Sequence, residues 1–79
     1  MNYRFDKYRV ANAFQYGAIN GYKEFCRNIV YNYAQVYYTP VKDVLAGISV
    51  MFIDPEGFEY EDYRKIKLMI NELMKEAER

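Results

Sequence analysis

Few side chains in this sequence are able to do covalent or metal chemistry. Among the 79 residues there is no histidine, Cys26 is the one cysteine and Ser49 is the one serine. Histidine and cysteine supply most metal ligands, nucleophiles and neutral-pH bases in proteins. Cys26 has no histidine to activate it and falls on the apolar face of a predicted helix, which is typical of a small core residue. We therefore expect no catalytic residue and no cofactor.

Carboxylates are concentrated in one stretch and are the remaining candidates for a metal site. Five of them lie between Asp54 and Asp62. A calcium loop of the EF-hand type needs a carboxylate at its twelfth position, and counting from Asp54 that position is Lys65. The chain also lacks a glycine-rich phosphate loop, because its glycines are scattered. No metal site is predicted.

The same stretch combines acids with aromatic rings, which makes it a candidate contact surface for a protein partner. Carboxylates steer a basic surface into place, and aromatic side chains contribute affinity. The alternative is a turn followed by a charged helix start, with Phe58 or Tyr63 anchored in the core. The predicted contact residues here are Asp54, Glu56, Phe58, Glu59, Tyr60, Glu61 and Asp62.

Two tyrosines form a second candidate contact surface. Tyrosine accounts for ten residues of the chain, and its ring with a polar tip suits both cores and binding surfaces. Tyr31 and Tyr38 are seven residues apart, or about two helical turns, and both face away from the predicted core stripe. Either the rest of a bundle covers them, or they form an exposed patch for a partner or a twofold-related copy.

Turn signals at Asn20-Gly21, Thr39-Pro40 and 54–57 divide the chain into four pieces with helical periodicity. The sequence therefore predicts an all-α fold, a small bundle of three to four helices forming a single domain over residues 1–79. The helices are expected at approximately 6–19, 20–38, 40–53 and 58–78. Two alternatives stay open: residues 48–53 as a short strand, and the first two helices as one long, bent helix.

The periodicity also assigns a core stripe to each helix. In the second helix the stripe is the widest and consists of Tyr22, Phe25, Cys26, Ile29, Val30, Tyr33, Val36 and Tyr37. The stripes of the other three helices are Val10, Phe14 and Ala18; then Val41, Val44, Leu45, Ile48, Met51 and Phe52; and finally Tyr63, Ile66, Met69, Ile70, Leu73, Met74 and Ala77. Leu68 stands alone on the polar side of the last helix.

Charge and hydropathy limit the classes of partner. The formal net charge is zero, with +3 over residues 1–38 and −3 over 39–79, so neither half has the basic excess of a nucleic-acid footprint. We do not expect direct nucleic-acid binding. No apolar run reaches the roughly 18–20 residues of a membrane span, and the start lacks a signal-peptide core. The expected location is cytoplasmic, without a membrane.

These features predict a protein-interaction module that is not an enzyme. We expect an inhibitor or regulator that occludes a larger protein or nucleoprotein complex with a basic surface. Small phage and mobile-element proteins, anti-CRISPR inhibitors among them, are often of this size and composition. One alternative is a helix-turn-helix DNA-binding regulator, and another is a structural homodimer or assembly subunit. The DNA-binding alternative requires one basic face made from Arg4, Lys7, Arg9 and Lys23 or Arg27.

Overall fold

The computed structural model describes residues 7–51 and 60–78, and it contains four α-helices. These are α1 (Lys7–Ile19), α2 (Lys23–Val36), α3 (Val41–Met51) and α4 (Tyr60–Ala77). The predicted all-α bundle is confirmed. The strand alternative is wrong for residues 48–51, which are helical, and residues 52–53 lie outside the described part of the chain. None of the helices described is long and apolar enough to cross a bilayer.

A tight turn at Asn20-Gly21 separates α1 from α2. Gly21 has a φ of +76°, in the left-handed region where glycine meets no steric penalty. The amide of Tyr22 donates to the carbonyl of Gly17 at 2.7 Å, and the amide of Gly21 donates to the carbonyl of Ala18 at 3.2 Å. This pair of hydrogen bonds is the Schellman motif that ends many helices. The alternative of one long, bent helix is therefore wrong.

The four helices close into a ring around one hydrophobic core. α1 packs against α2 and α4, and α3 packs against the same two helices. Each helix places a fully buried apolar side chain at the centre, namely Phe14, Val30, Leu45 and Ile66. Burial of such a side chain stabilises the fold by about 1.5–3 kcal/mol. The ring is thus held mainly by apolar contacts that all four helices share.

Within the described residues, the predicted core stripes of α1, α3 and α4 agree with the burial pattern, whereas that of α2 is partly wrong. Phe52 of the third stripe lies outside that part of the chain. On α2 the buried residues are Cys26, Val30 and Ala34. The four members of the predicted stripe that lie at the surface, each between 41% and 54% exposed, are Tyr22, Phe25, Val36 and Tyr37. The physical reason is the width of the apolar arc. The ring covers one face of α2, and the apolar residues of α2 extend beyond that face.

Candidate functional site

The end of α2 repeats the turn at the end of α1 with a different residue in the critical position. The amide of Thr39 donates to the carbonyl of Ala34 at 2.9 Å, which is the same six-residue closure that ends α1. Tyr38 occupies the position in this second turn that Gly21 occupies in the first, and the φ of Tyr38 is +53°. A residue with a Cβ in this conformation costs about 1–2 kcal/mol relative to an ordinary backbone.

The side chain of Tyr38 does not offset that cost within the chain. It is 95% exposed, so its ring buries almost no surface against the protein. The backbone around it is nevertheless tied down on both sides. The hydroxyl of Thr39 donates to the carbonyl of Tyr37 at 3.2 Å, and the carbonyl of Pro40 accepts the amides that begin α3. Tyr38 is therefore a projecting ring on a hydrogen-bonded turn.

A groove of about 520 Å³ lies beside this turn, where α2, α3 and α4 meet. It is lined by Tyr31, Pro40, Val41, Lys42 and residues 76–78. Tyr31 is 42% exposed, and Tyr38 precedes Pro40 by two residues. We refer to this groove together with Tyr38 as the α2-end surface. Both predicted tyrosines belong to it, although α2 ends at Val36, so Tyr38 projects from the turn and not from the helix.

Three of the other predicted contact residues, Tyr60, Glu61 and Asp62, lie at the opposite end of α4. Tyr60 is 73% exposed, and Glu61 is exposed beside the half-buried Asp62. At 1.5 Å per residue, Tyr60 is about 24 Å from the level of Glu76 along the helix. The structure therefore keeps the two candidate contact regions apart. The remaining predicted positions lie outside the described residues: Asp54, Glu56, Phe58 and Glu59.

An ion-pair cluster joins α2 to the last turns of α4, next to the groove. Arg27 donates from Nε and Nη2 to the two carboxylate oxygens of Glu76, at 2.9 Å and 3.1 Å. Lys23 Nζ lies 3.0 Å from the same carboxylate and 3.7 Å from Glu72. Hydrogen bonds from Arg27 and then from Lys23 lower the pKa of Glu76 to about 2. Glu76 is thus ionised at neutral pH.

Cys26 lies inside the hydrophobic core. It is fully buried, and its Sγ donates to the carbonyl of Phe14 at 3.5 Å. Burial raises the pKa of Cys26 to about 11. Because the nucleophilic form of cysteine is the thiolate, a thiol that stays protonated at neutral pH is a packing group.

Ser49 and Lys67 form a nucleophile–amine pair, and its geometry is that of a helix cap. Lys67 Nζ donates to the Ser49 carbonyl at 3.1 Å and to Ser49 Oγ at 3.0 Å. The carbonyl belongs to the last turn of α3, where backbone acceptors lack intrahelical donors. Lys67 Nζ also lies 5.5 Å from the ring centre of Tyr63, within the range of a cation–π contact. Lys67 therefore donates both hydrogen bonds to the end of α3, as a capping side chain does.

An exposed aromatic cluster at the turn between α1 and α2 was missed by the sequence prediction. The ring centre of Tyr16 lies 6.0 Å from that of Tyr22 and 6.2 Å from that of Phe25, both edge to face. The prediction placed Tyr22 and Phe25 in the core and left Tyr16 unassigned. The Asn20-Gly21 turn signal could have revealed this cluster. In a Schellman motif, the residue after the glycine packs against the last turn of the preceding helix.

Neither a metal cluster nor a relative adds to this description. In residues 7–51 and 60–78, no three histidine, cysteine or acidic side chains are grouped so as to hold a metal ion. Comparison of the chain with protein-family models, with curated proteins and with solved structures yields no significant match.

Proposed function

We propose that the protein is a non-enzymatic interaction module that binds a larger protein or nucleoprotein complex through the α2-end surface. The observation that supports this is the combination of backbone strain and exposure at Tyr38. Its conformation lowers stability, and its ring is 95% exposed. Strained positions of this kind are concentrated at functional sites. The contribution of the Tyr38 ring therefore lies outside the folded monomer.

The turn presents Tyr38 in a form suited to anchor a partner. Tyrosine offers a large apolar ring and a hydroxyl at the cost of two side-chain torsions. The hydrogen bonds of Thr39 hold the turn in place before binding, so little backbone order remains to be lost on association. Tyr31 and Pro40 provide a partly apolar groove beside the ring. A partner that covers both would exclude water from Tyr38, as around an interface hot spot.

We infer the charge of the partner from acids at the two predicted contact regions. Glu78 lies in the groove, and Glu61 lies at the start of α4. We propose a basic partner surface, which the carboxylates steer and the aromatic rings hold. The setting we propose is inhibition by occlusion in the cytoplasm, as in phage or mobile-element proteins of the anti-CRISPR kind.

The DNA-binding alternative has less support from the geometry. It requires Lys23 or Arg27 on a free basic face. Both are engaged with carboxylates of α4, because Arg27 pairs with Glu76 and Lys23 contacts Glu72 and Glu76. An amine or guanidinium that is already neutralised releases few counterions on DNA and gains little from phosphate. Arg9 is exposed on α1, whereas Arg4 and the side chain of Lys7 lie outside the described part of the chain.

Affinity capture from a lysate of the source cell tests the proposal. The tagged wild-type chain is compared with a Tyr31→Ala/Tyr38→Ala double variant and with Tyr60→Ala. The control is Leu68→Ala, because Leu68 is 51% exposed and lies outside the α2-end surface. We expect a stoichiometric partner with the wild type and the control. We expect its loss from the double variant, since hot-spot truncations cost about 2 kcal/mol or more.

Two outcomes would contradict the proposal. One is the absence of any stoichiometric partner for the wild-type chain. The other is a partner that the double variant retains at full yield. Loss of the partner from Tyr60→Ala alone would place the contact at the α4 start instead of the α2-end surface.

A further inference from the structure

α2 carries a second apolar stripe on its outer face. At its beginning Tyr22 and Phe25 are exposed together with Tyr16 of α1, and at its end Val36 is 54% exposed. Ile29 lies between them and is half-buried. The positions follow one another at intervals of three, four, three and four residues: Tyr22, Phe25, Ile29, Asn32 and Val36. We refer to these five residues as the outer stripe.

This spacing specifies what kind of element the outer stripe fits. Alternating intervals of three and four residues keep a seam facing a second helix along its whole length, as in coiled coils. The stripe covers the full length of α2, about 21 Å at 1.5 Å per residue. One Asn within such a seam is a known device for setting register and the number of helices. The matching occupant is therefore a helix with a similar apolar seam.

The chemistry around the outer stripe favours a copy of the same helix. No residue of the stripe is charged, so two stripes do not repel each other. Asn28 flanks the stripe beside Ile29 and is exposed. An amide both donates and accepts hydrogen bonds, so Asn28 is able to pair with its own copy across a twofold axis beside it, whereas a carboxylate facing its copy is not. The zero net charge of the chain likewise allows self-association.

We propose that two copies of this chain associate about a twofold axis by packing their outer stripes together. We propose the antiparallel arrangement, in which the axis passes near Ile29. The beginning of each outer stripe then faces the end of the other copy's outer stripe. Tyr16 extends the contact at both ends. The outer stripe shares no residue with the α2-end surface. A contact of one short helix is smaller than a standard interface of about 800 Å² per partner, so the dimer is expected to be weak.

Sedimentation equilibrium of the purified full-length chain, from micromolar to millimolar concentration, tests this dimer without any partner. We expect a monomer–dimer equilibrium in the wild type. Val36→Lys places two ammonium groups in the contact and should weaken dimerisation by about tenfold or more. Its matched control is Val50→Lys, because Val50 is an exposed valine near the end of α3 outside the outer stripe. Asn32→Leu removes the polar residue from the seam and should strengthen self-association.

The variants distinguish a dimer that uses the outer stripe from a monomer and from a dimer that uses another surface. Weakening by Val36→Lys, strengthening by Asn32→Leu and no change with Val50→Lys support the dimer. A chain that stays monomeric at millimolar concentration overturns it, as does a dimer that responds equally to Val36→Lys and Val50→Lys. A dimer that dissociates only with Tyr31→Ala also overturns it, because that result places the contact at the α2-end surface. Circular dichroism of each variant checks that the helices are intact.

Discussion

At the scale of single residues, Gly21 and Tyr38 occupy the same position of one backbone motif with very different side chains. Both lie one position beyond a helix cap with positive φ, at +76° and +53°. Gly21 takes this conformation without a side-chain penalty, and it connects α1 to α2. Tyr38 takes it with a penalty and projects its ring into solvent. The first turn is explained by folding alone, and the second is not.

Two helix-interior glycines give a matched test of the packing between α1 and α2. A Cβ at Gly17 would lie 2.7 Å from both Cys26 Sγ and Phe25 Cδ2, whereas a Cβ at Gly47 would meet nothing within 4 Å. Alanine is favoured over glycine in a helix by about 1 kcal/mol. Overpacking against a buried residue costs about 1–3 kcal/mol.

Urea unfolding should therefore give opposite signs for the two substitutions. We expect Gly47→Ala to raise the free energy of unfolding by about 0.5–1 kcal/mol and Gly17→Ala to lower it by about 1–2 kcal/mol. Equal stabilisation by both would show that α1 and α2 do not approach closely at Gly17.

At the scale of elements, the sequence predicts the helices well and their outer faces poorly. The number and order of the helices follow from apolar periodicity and from the turn signals, which depend only on local sequence. Which face of α2 is buried depends on how its neighbours are arranged, and no local pattern contains that information. Phe25 and Cys26 are adjacent and both apolar, yet Cys26 is fully buried and Phe25 is 41% exposed. Ala34 is buried and was absent from the predicted stripe.

The link between α2 and α4 predicts a specific pH dependence of stability. The pKa of Glu76 is about 2 in the folded chain, below its ordinary value of 4.5. The unfolded chain thus binds a proton that the folded chain does not bind between these values. This contribution to stability is fully present above about pH 5 and is lost as the pH falls towards 2.

Thermal unfolding between pH 2 and pH 7 checks this dependence. Glu76→Gln should be less stable than the wild type at pH 7, and the difference should shrink towards pH 2. Glu72→Gln is the control, because it removes a carboxylate from α4 and leaves the Arg27–Glu76 pair intact. If the wild type and Glu76→Gln differ by the same amount at every pH, the ion pair does not contribute as described.

At the scale of the whole molecule, a ring of four short helices leaves much aromatic surface outside its core. Tyrosines at 16, 22, 31, 37, 38 and 60 are all exposed. Sequence reasoning selected Tyr31, Tyr38 and Tyr60 among them as contacts, and the structure places the last at the far end of α4. Sequence reasoning could not foresee the backbone strain at Tyr38, because that strain arises from the turn between α2 and α3. Position in the fold, more than the number of tyrosines, distinguishes the contact candidates.

The most direct test of the central claim is the capture of the lysate partner by Tyr38→Gly. Glycine relieves the left-handed strain, so this variant should unfold at a higher urea concentration, with a gain of about 1 kcal/mol. The account predicts that this more stable protein retains less than about a tenth of the partner that the wild type captures, since tenfold corresponds to about 1.4 kcal/mol. Undiminished capture by Tyr38→Gly would contradict the claim that the Tyr38 ring serves binding.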